Sequence, residues 1–237
     1  MQTVTGWIAK PLGYFLGWLY DFVGSYGLAI VIFTIVVKIC LYPLYAKQMK
    51  STVGMSKLQP KIKALQQKYA NDKDTLNAKM ADLYREEGIN PAGGCLPMLI
   101  QMPIIFGLFA LLRNPLAYMG NSEHMLFAIH ESFLWMTDLS QPDKWILPIL
   151  AGIATFFAFS MQQQQQQEMP GGNGGMMKSM KYIFPVMIVM LGRTFPAGLT
   201  IYWALGQVIQ IFYNMRMNKV RAKMLADSGS KGGRRRK

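Results

Sequence analysis

The sequence predicts an all-α, polytopic membrane protein: five transmembrane helices around a hydrophilic groove, with a cytoplasmic helical hairpin and an N-terminal interfacial helix. Only 16% of its 237 residues are charged, whereas soluble domains contain about 25%. Apolar runs close to the length of a bilayer crossing recur along the chain. The formal net charge of +13 lies almost wholly between and after these runs, as in loops and tails that determine orientation.

Five apolar segments are expected to cross the bilayer. They are residues 23–45, 95–112, 145–161, 180–192 and 197–214. A crossing helix needs about 20 apolar residues, so several of the five are short, the fourth most of all. Glycine and proline between the last two, at 192–198, indicate a tight turn and therefore a helical hairpin.

Lysine and arginine residues indicate which side each connection occupies. Residues 46–94 and the tail 215–237 hold nine each, and residues 162–181 hold two. By the positive-inside rule we expect the first loop, the glutamine- and glycine-rich loop 162–179 and the tail to be cytoplasmic. The N-terminus and the loop 113–144 are then outside, which agrees with an odd number of crossings.

The N-terminal residues 1–22 combine apolar and aromatic side chains at near-helical spacing. These are Trp7, Ile8, Leu12, Phe15, Leu16 and Leu19. The spacing favours a helix lying in the membrane interface, and a disordered terminus is the alternative. No basic start followed by an apolar core and a cleavage site is evident, so no removable signal peptide is expected.

The first cytoplasmic loop is polar but keeps apolar residues at helical spacing. They are Leu58, Ile62, Leu65, Tyr69, Leu76, Met80 and Leu83. With a turn and an N-cap at residues 71–74, the spacing predicts an antiparallel helical hairpin that ends near Gly88 and Pro91. The hairpin is either a docking arm or a solvated connector.

The glutamines at 162–167 are expected to extend the third crossing, whereas 228–237 is expected to be flexible.

Lys38 is the candidate functional residue, because it lies deep in the first crossing. A central lysine costs at least about 2.5–3.5 kcal/mol and must face protein or water. No acidic residue lies in any predicted crossing to neutralise it. Thr34 precedes it by one turn, and Tyr42 and Tyr45 follow on nearly the same face, so the first helix carries a polar stripe.

A second polar stripe follows one face of the fifth crossing. Its members are Thr200, Trp203, Gln207, Gln210 and Asn214, and the second crossing adds Gln101. Buried amides and hydroxyls need partners or water, so the simplest arrangement turns these residues toward one hydrated cavity with Lys38. The alternative is hydrogen bonding between packed helices, with Lys38 extended toward the cytoplasm.

The tail ends in Arg234, Arg235, Arg236 and Lys237. Such clusters attract lipid headgroups or RNA phosphates without reading sequence, so contact with the bilayer or with a ribosome is expected. No nucleophile motif, nucleotide-binding motif or intramembrane metal cluster is found, so neither an enzyme nor a cofactor is expected. An ion channel or transporter remains the alternative, although no inverted repeat is evident.

Several strings resemble the YidC family of membrane insertases, which are related to the mitochondrial Oxa and chloroplast Albino proteins. They are residues 26–30, 34–44, 58–60, 88–103 and 195–203. The resemblance implies a five-helix core around a groove that is open to the cytoplasm and to lipid but closed outside. It implies insertion of nascent membrane proteins into the bacterial cytoplasmic membrane, alone or with a Sec translocon.

By position, Thr34, Gln101 and Trp203 match groove or substrate-contact residues of that family. The groove cation is typically arginine, and Lys38 stands there in this chain. Lysine keeps the charge but lacks the planar fork of arginine. The family's lipoprotein signal and large outer domain are not seen in this sequence.

Overall fold

The computed structural model describes residues 2–88, 96–119, 123–166 and 174–234. The helices in chain order are α1 Gln2–Val23, α2 Tyr26–Lys68, α3 Lys73–Glu86, α4 Leu96–Arg113, α5 Glu123–Ala128, α6 Ile146–Gln166, α7 Gly174–Gly192 and α8 Ala197–Arg234, with a 3₁₀ turn at Pro115–Ala117. Within the described ranges, β pairing is limited to an isolated bridge between Phe133 and Met136. The all-α class expected from the sequence is confirmed for this part of the chain.

One helical segment of the described chain is long and apolar enough to cross a bilayer by itself. It is Tyr26–Ala46, with 21 residues and a mean hydropathy of 2.3. Shorter apolar segments are Met102–Arg113, Ile146–Gln162 and Ser179–Gly192. The expected crossing at 197–214 forms the first half of α8 but is not among them, because its polar stripe lowers its hydropathy.

Helix α1 packs on α4 and α2. Gly13 lies against Tyr118, where a Cβ would come within 2.4 Å of the backbone oxygen, and Gly107 of α4 lies against Ile8. The exposed face of α1 carries the aromatic residues Trp7, Tyr14, Trp18 and Phe22. One packed face and one exposed aromatic face are typical of an interfacial helix.

Helix α2 is 43 residues long and contains Pro43 and Pro60. The first expected crossing and the first arm of the hairpin are therefore a single helix, although the sequence suggested a boundary near residue 45. The second arm, α3, begins after Asp72, whose side chain accepts a hydrogen bond from Thr75 N at 3.0 Å. This is the N-cap expected from the sequence.

Three further helices are longer than the expected crossings, and of these α7 begins at Gly174 rather than near residue 180. Helix α6 continues through the glutamines to Gln166, as expected, and α8 continues to Arg234, so residues 228–234, which were expected to be flexible, are helical in the structure. Glutamine, lysine and arginine have good helix propensity, which accounts for the extensions through residues 162–166 and 215–223 but not for the helical stretch 228–234, which contains three glycines.

Helix α8 packs against α6 and α2, and α6 also packs against α7. Small residues allow these contacts. Ala151, Ala154 and Ala158 of α6 are buried, and Gly152 faces Val189 of α7, where a Cβ would come within 2.4 Å of the valine. Close approach through small residues is the common way in which helices pack in membranes.

A glutamate between α5 and α6 caps the first turn of α2. Glu131 accepts hydrogen bonds from the Tyr20 hydroxyl and from Tyr26 N, both at 2.7 Å. Ser25, at the N-cap position, makes no capping bond, so a carboxylate distant in sequence satisfies the first N–H group of the helix. The hydrogen bond that the Tyr20 hydroxyl donates to Glu131, together with burial, raises the pKa of Tyr20 to about 12.

The same segment caps α8 and α6. The carbonyl oxygens of Leu139 and Gln141 accept hydrogen bonds from Gly198 N at 3.1 Å and Ala197 N at 2.9 Å. Asp143 accepts from three N–H groups at the start of α6, at 2.9 to 3.3 Å. The N-terminal ends of α2, α6 and α8 are thus fixed by one short stretch of chain.

The carboxylate of Asp138 holds this segment together through contacts with Ser140 and His130. Ser140 donates to this carboxylate from N at 2.8 Å and from Oγ at 2.7 Å, and His130 Nδ1 lies 3.1 Å from it. Burial acts to raise the pKa of Asp138, but the hydrogen bonds from Ser140 and His130 outweigh it, so the pKa is lowered.

Candidate functional site

Lys38 lies midway along the apolar segment Tyr26–Ala46, against α8. A Cβ on Gly206 of α8 would be 3.3 Å from Lys38 Cε and 3.7 Å from Nζ, so the absence of a side chain there makes room for the lysine. The Lys38 side chain is half-buried. No carboxylate of the described residues forms an ion pair with its amine, so the charge lacks a counter-ion in that part of the chain.

The hydroxyls of Thr34 and Thr200 are buried, and each bonds to the backbone carbonyl four residues earlier in the chain. Thr34 Oγ1 donates to Ile30 O at 2.6 Å, and Thr200 Oγ1 approaches Pro196 O at 3.4 Å. Thr34 is completely inaccessible and Thr200 is 4% exposed. Neither hydroxyl forms a hydrogen bond to a second helix among the described residues, and the Thr34 side chain does not reach the surface.

Trp203 joins α8 to its neighbours. Its indole Nε1 donates to Thr155 Oγ1 of α6 at 3.1 Å, and its ring lies 6.3 Å from that of Phe184 of α7. Thr155 also donates to Ala151 O at 2.6 Å. Sequence reasoning missed Thr155; its signal was a hydroxyl in the middle of an otherwise apolar crossing.

Of the two glutamines of the predicted site, the structure describes the side chain of Gln207 but not that of Gln101. Gln207 follows Gly206 on α8, is half-buried and makes no hydrogen bond to another described residue. Its amide therefore has no partner among the described residues, one position along α8 from the glycine that faces Lys38. Gln101 belongs to α4, but its side chain lies outside the described part of the structure.

Asn214 forms a polar centre near the other end of the site. This fully buried side chain accepts hydrogen bonds at Oδ1 from the Tyr45 hydroxyl and from Gln210 Nε2, the latter at 3.3 Å. Its Nδ2 donates to Ala158 O of α6 at 3.2 Å. Side chains of the polar stripes of α2 and α8 thus meet, and α6 contributes a backbone acceptor.

The basic tail begins where this network ends. Arg216 is exposed, and its guanidinium lies 5.7 Å from the centre of the Tyr42 ring. Helix α8 ends at Arg234. The expected contact residues Arg235, Arg236 and Lys237 lie outside the described residues.

Apolar side chains cover the outer faces of α6 and α7. The exposed members are Ile146, Ile149, Leu150, Ile153, Phe157, Met180, Tyr182, Ile183, Val186, Met187, Met190 and Leu191. Exposed apolar surface on this scale is expected against lipid or another protein. Lys38, which has no ion-pair partner among the described residues, lies against α8, and α8 in turn packs on α6, whose outer face is suited to hydrocarbon.

Comparison with known families and proteins gives consistent matches. The family model of the 60Kd inner membrane protein matches residues 18–224. The membrane protein insertase YidC of Fusobacterium nucleatum is 41% identical over 220 residues, which cover 91% of this chain and 98% of that protein. The YidC of Geobacter sp. is 38% identical over 218 residues, covering 90% of this chain.

A solved structure is also similar, the active YidC insertase crystal structure with the first transmembrane domain resolved. It is 31% identical, aligns with a TM-score of 0.56, and the match covers 86% of this chain and 44% of that one. The chain spans nearly all of the Fusobacterium relative but only 38% of the Geobacter one.

Proposed function

Because the chain belongs to the 60Kd inner membrane protein family, which includes the YidC insertases, we propose that it inserts other proteins into the bacterial cytoplasmic membrane and assists their folding. The family match over residues 18–224 supports the class of activity. The observation that carries the mechanism is Lys38, which lies at mid-segment beside α8 with no carboxylate paired to it among the described residues.

The proposed arrangement has five bilayer crossings, with the N-terminus outside and the C-terminus in the cytoplasm. The crossings are formed by the first half of α2, by α4, α6 and α7, and by the first half of α8. Helix α1 would lie in the outer interface with its aromatic face in the headgroup layer. The hairpin of α2 and α3 and the end of α8 would then extend into the cytoplasm, where their basic residues favour them.

Insertion begins with attraction between Lys38 and a short acidic tail of the client protein. Two unit charges 4 Å apart interact by about 1 kcal/mol in bulk water and by about 4 kcal/mol at the effective dielectric constant typical near a protein surface. A client carboxylate therefore gains more at Lys38 than at an exposed lysine. Half-buried Gln207 lies next to Gly206 on α8, and its side-chain amide supplies hydrogen-bond donors for the polar tail, whereas the indole N–H of Trp203 is already bonded to Thr155.

The apolar segment of the client would meanwhile leave along the exposed faces of α6 and α7. Both faces carry large flexible or aromatic side chains, which suit varied apolar partners. The apolar part of α7, Ser179–Gly192, is short for a crossing, and a short helix thins the bilayer around it. Thinner hydrocarbon lowers the barrier that the client tail must cross, so no nucleotide hydrolysis or cofactor is assigned.

Nascent membrane proteins and the bilayer are the proposed partners. The ribosome and a Sec translocon are proposed as additional partners, the ribosome through the basic residues that begin at Arg216 and end the chain. Phosphate contacts of this kind depend strongly on salt. Binding of ribosomes to the protein in liposomes should therefore weaken steeply as salt is raised and when the last four residues are removed.

The test uses liposomes that contain wild-type protein, Lys38→Arg or Lys38→Glu, together with one labelled single-span client that has an acidic tail. We expect wild type and Lys38→Arg to insert the client comparably, because both carry the charge, and Lys38→Glu to impair insertion at least tenfold. Equal insertion by all three would remove Lys38 from the mechanism. Ion flux through client-free liposomes that contain wild type would instead favour a channel or transporter.

A further inference from the structure

Lys38 lies five residues before Pro43, a proline inside the same helix, α2. Pro43 has no N–H group, so the carbonyl of Ile39 lacks its normal helical donor, and the proline ring crowds that carbonyl. Helices bend most readily at such places. The direction in which the Lys38 amine points would therefore vary unless other contacts fix α2 on both sides of Pro43.

Two consecutive residues of α8 make such contacts. Before the proline, the Tyr213 hydroxyl donates to Lys38 O at 3.0 Å. After the proline, the Tyr45 hydroxyl donates to Asn214 Oδ1. Because Asn214 also donates to Ala158 O of α6 at 3.2 Å, this second contact is tied to a third helix.

The rings of the three tyrosines fill the space between these hydrogen bonds. The Tyr213 ring lies 5.0 Å from the Tyr42 ring and 5.7 Å from the Tyr45 ring, measured between centroids. The hydroxyl of Tyr42 takes no part in the two hydrogen bonds between α2 and α8, and it makes no hydrogen bond to another described residue. The hydroxyls of Tyr213 and Tyr45 can therefore be removed singly without emptying the packed space.

We propose that Tyr213 and Asn214 are positioning residues that clamp α2 on either side of Pro43 and so hold the Lys38 amine beside Gly206 of α8. This proposal rests on the proposed function, because the position of the Lys38 amine matters only if that amine attracts the client tail. The clamp acts on the preference for an acidic client tail and not on the general capacity of the protein to insert apolar segments.

The test compares two single-span clients that differ only in their tail, one acidic and one neutral, with insertion into proteoliposomes as the measurement. The ratio of acidic to neutral insertion reports the contribution of Lys38. Tyr213→Phe and Tyr45→Phe each remove one hydroxyl of the clamp, and Tyr42→Phe is the matched control. Asn214→Ala is avoided because it leaves buried partners unpaired and endangers folding.

We expect Tyr213→Phe to lower the acidic-to-neutral ratio about threefold to tenfold, the range that corresponds to one net hydrogen bond. Tyr45→Phe should act in the same direction, and Tyr42→Phe should leave the ratio unchanged. In a Lys38→Met background, where the ratio is already near one, Tyr213→Phe should have no further effect.

Three results would overturn the proposal. The first is an unchanged ratio in Tyr213→Phe while Lys38→Met abolishes it, which rejects the clamp but leaves the proposed function intact. The second is an equal loss for both clients, which reduces Tyr213 to a structural role. The third is a ratio that Lys38→Met does not alter, which rejects the role of the cation and the clamp together.

Discussion

Replacing Glu131 by alanine should loosen the first turn of α2, the helix that carries Lys38. In the structure this carboxylate accepts hydrogen bonds at 2.7 Å from the Tyr20 hydroxyl and from Tyr26 N. Tyr26 is 3% exposed, and Ser25 makes no bond that would take over as the cap. The N–H group of Tyr26 would therefore be left in a buried place without an acceptor.

The expected size follows from these two bonds. A hydrogen bond to a charged group contributes about 1.5–3 kcal/mol, and an unpaired buried N–H costs about 1–3 kcal/mol. The two bonds share one carboxylate, so their contributions are not additive. We therefore expect Glu131→Ala to lower the local stability of the first turn of α2 by about 3 kcal/mol. Glu131→Gln keeps an acceptor oxygen but loses the charge and its attraction to the helix N-terminus, so about 1–1.5 kcal/mol is expected.

Amide hydrogen exchange across the first turn of α2 measures this loss locally. At 1.4 kcal/mol for each factor of ten, exchange should become about 100-fold faster in Glu131→Ala and about tenfold faster in Glu131→Gln. Asp21→Ala is the matched control, because Asp21 is exposed and makes no hydrogen bond to another described residue. Exchange in Glu131→Ala that equals the control would refute the capping role.

Three further predictions concern the outer segment and the hairpin. Gly27→Ala would place a Cβ 2.2 Å from the Phe133 ring, so we expect a loss of about 1–3 kcal/mol in stability, seen as a lower melting temperature in detergent, with recovery when Phe133→Ala is added. Asp72→Ala removes the cap of α3 and should cost about 1 kcal/mol, detected as roughly fivefold faster amide exchange at Thr75. The pKa of Asp138 is lowered from 3.8, so the stability it contributes is present above about pH 4 and is lost as the pH falls through the lower folded-state value. In Asp138→Asn the melting temperature should therefore fall less steeply below pH 4 than in wild type. The same steepness in both proteins would contradict this.

Local signals in the sequence were sufficient for the helical class and for the N-cap at which α3 begins. The turn at Asp72 needs only a capping side chain next to a helical pattern, and the N-cap bond to Thr75 is present. Helix ends were harder to place. The sequence put a boundary near residue 45 because the chain turns polar there, but polarity changes the surroundings of a helix without ending it, and α2 continues to Lys68.

The contacts that organise the site join residues distant in sequence, and periodicity cannot reveal which of them meet. Sequence reasoning singled out Lys38 and Trp203 by their chemistry, whereas the partner of Trp203 is Thr155, 48 residues earlier. Gly206 gave no chemical signal, since its contribution is the room it leaves for a side chain on another helix. The cap that Glu131 supplies to α2 spans 105 residues and was equally invisible.

The central claim is that the charge at position 38 selects the client tail. It is tested most directly by exchanging both charges, with Lys38→Glu and wild type each given clients whose tails differ only in being acidic or basic. The account predicts that wild type inserts the acidic-tailed client better and that Lys38→Glu inserts the basic-tailed client better. The same preference for the acidic tail in both proteins would contradict it, because attraction at this position could not then select the client.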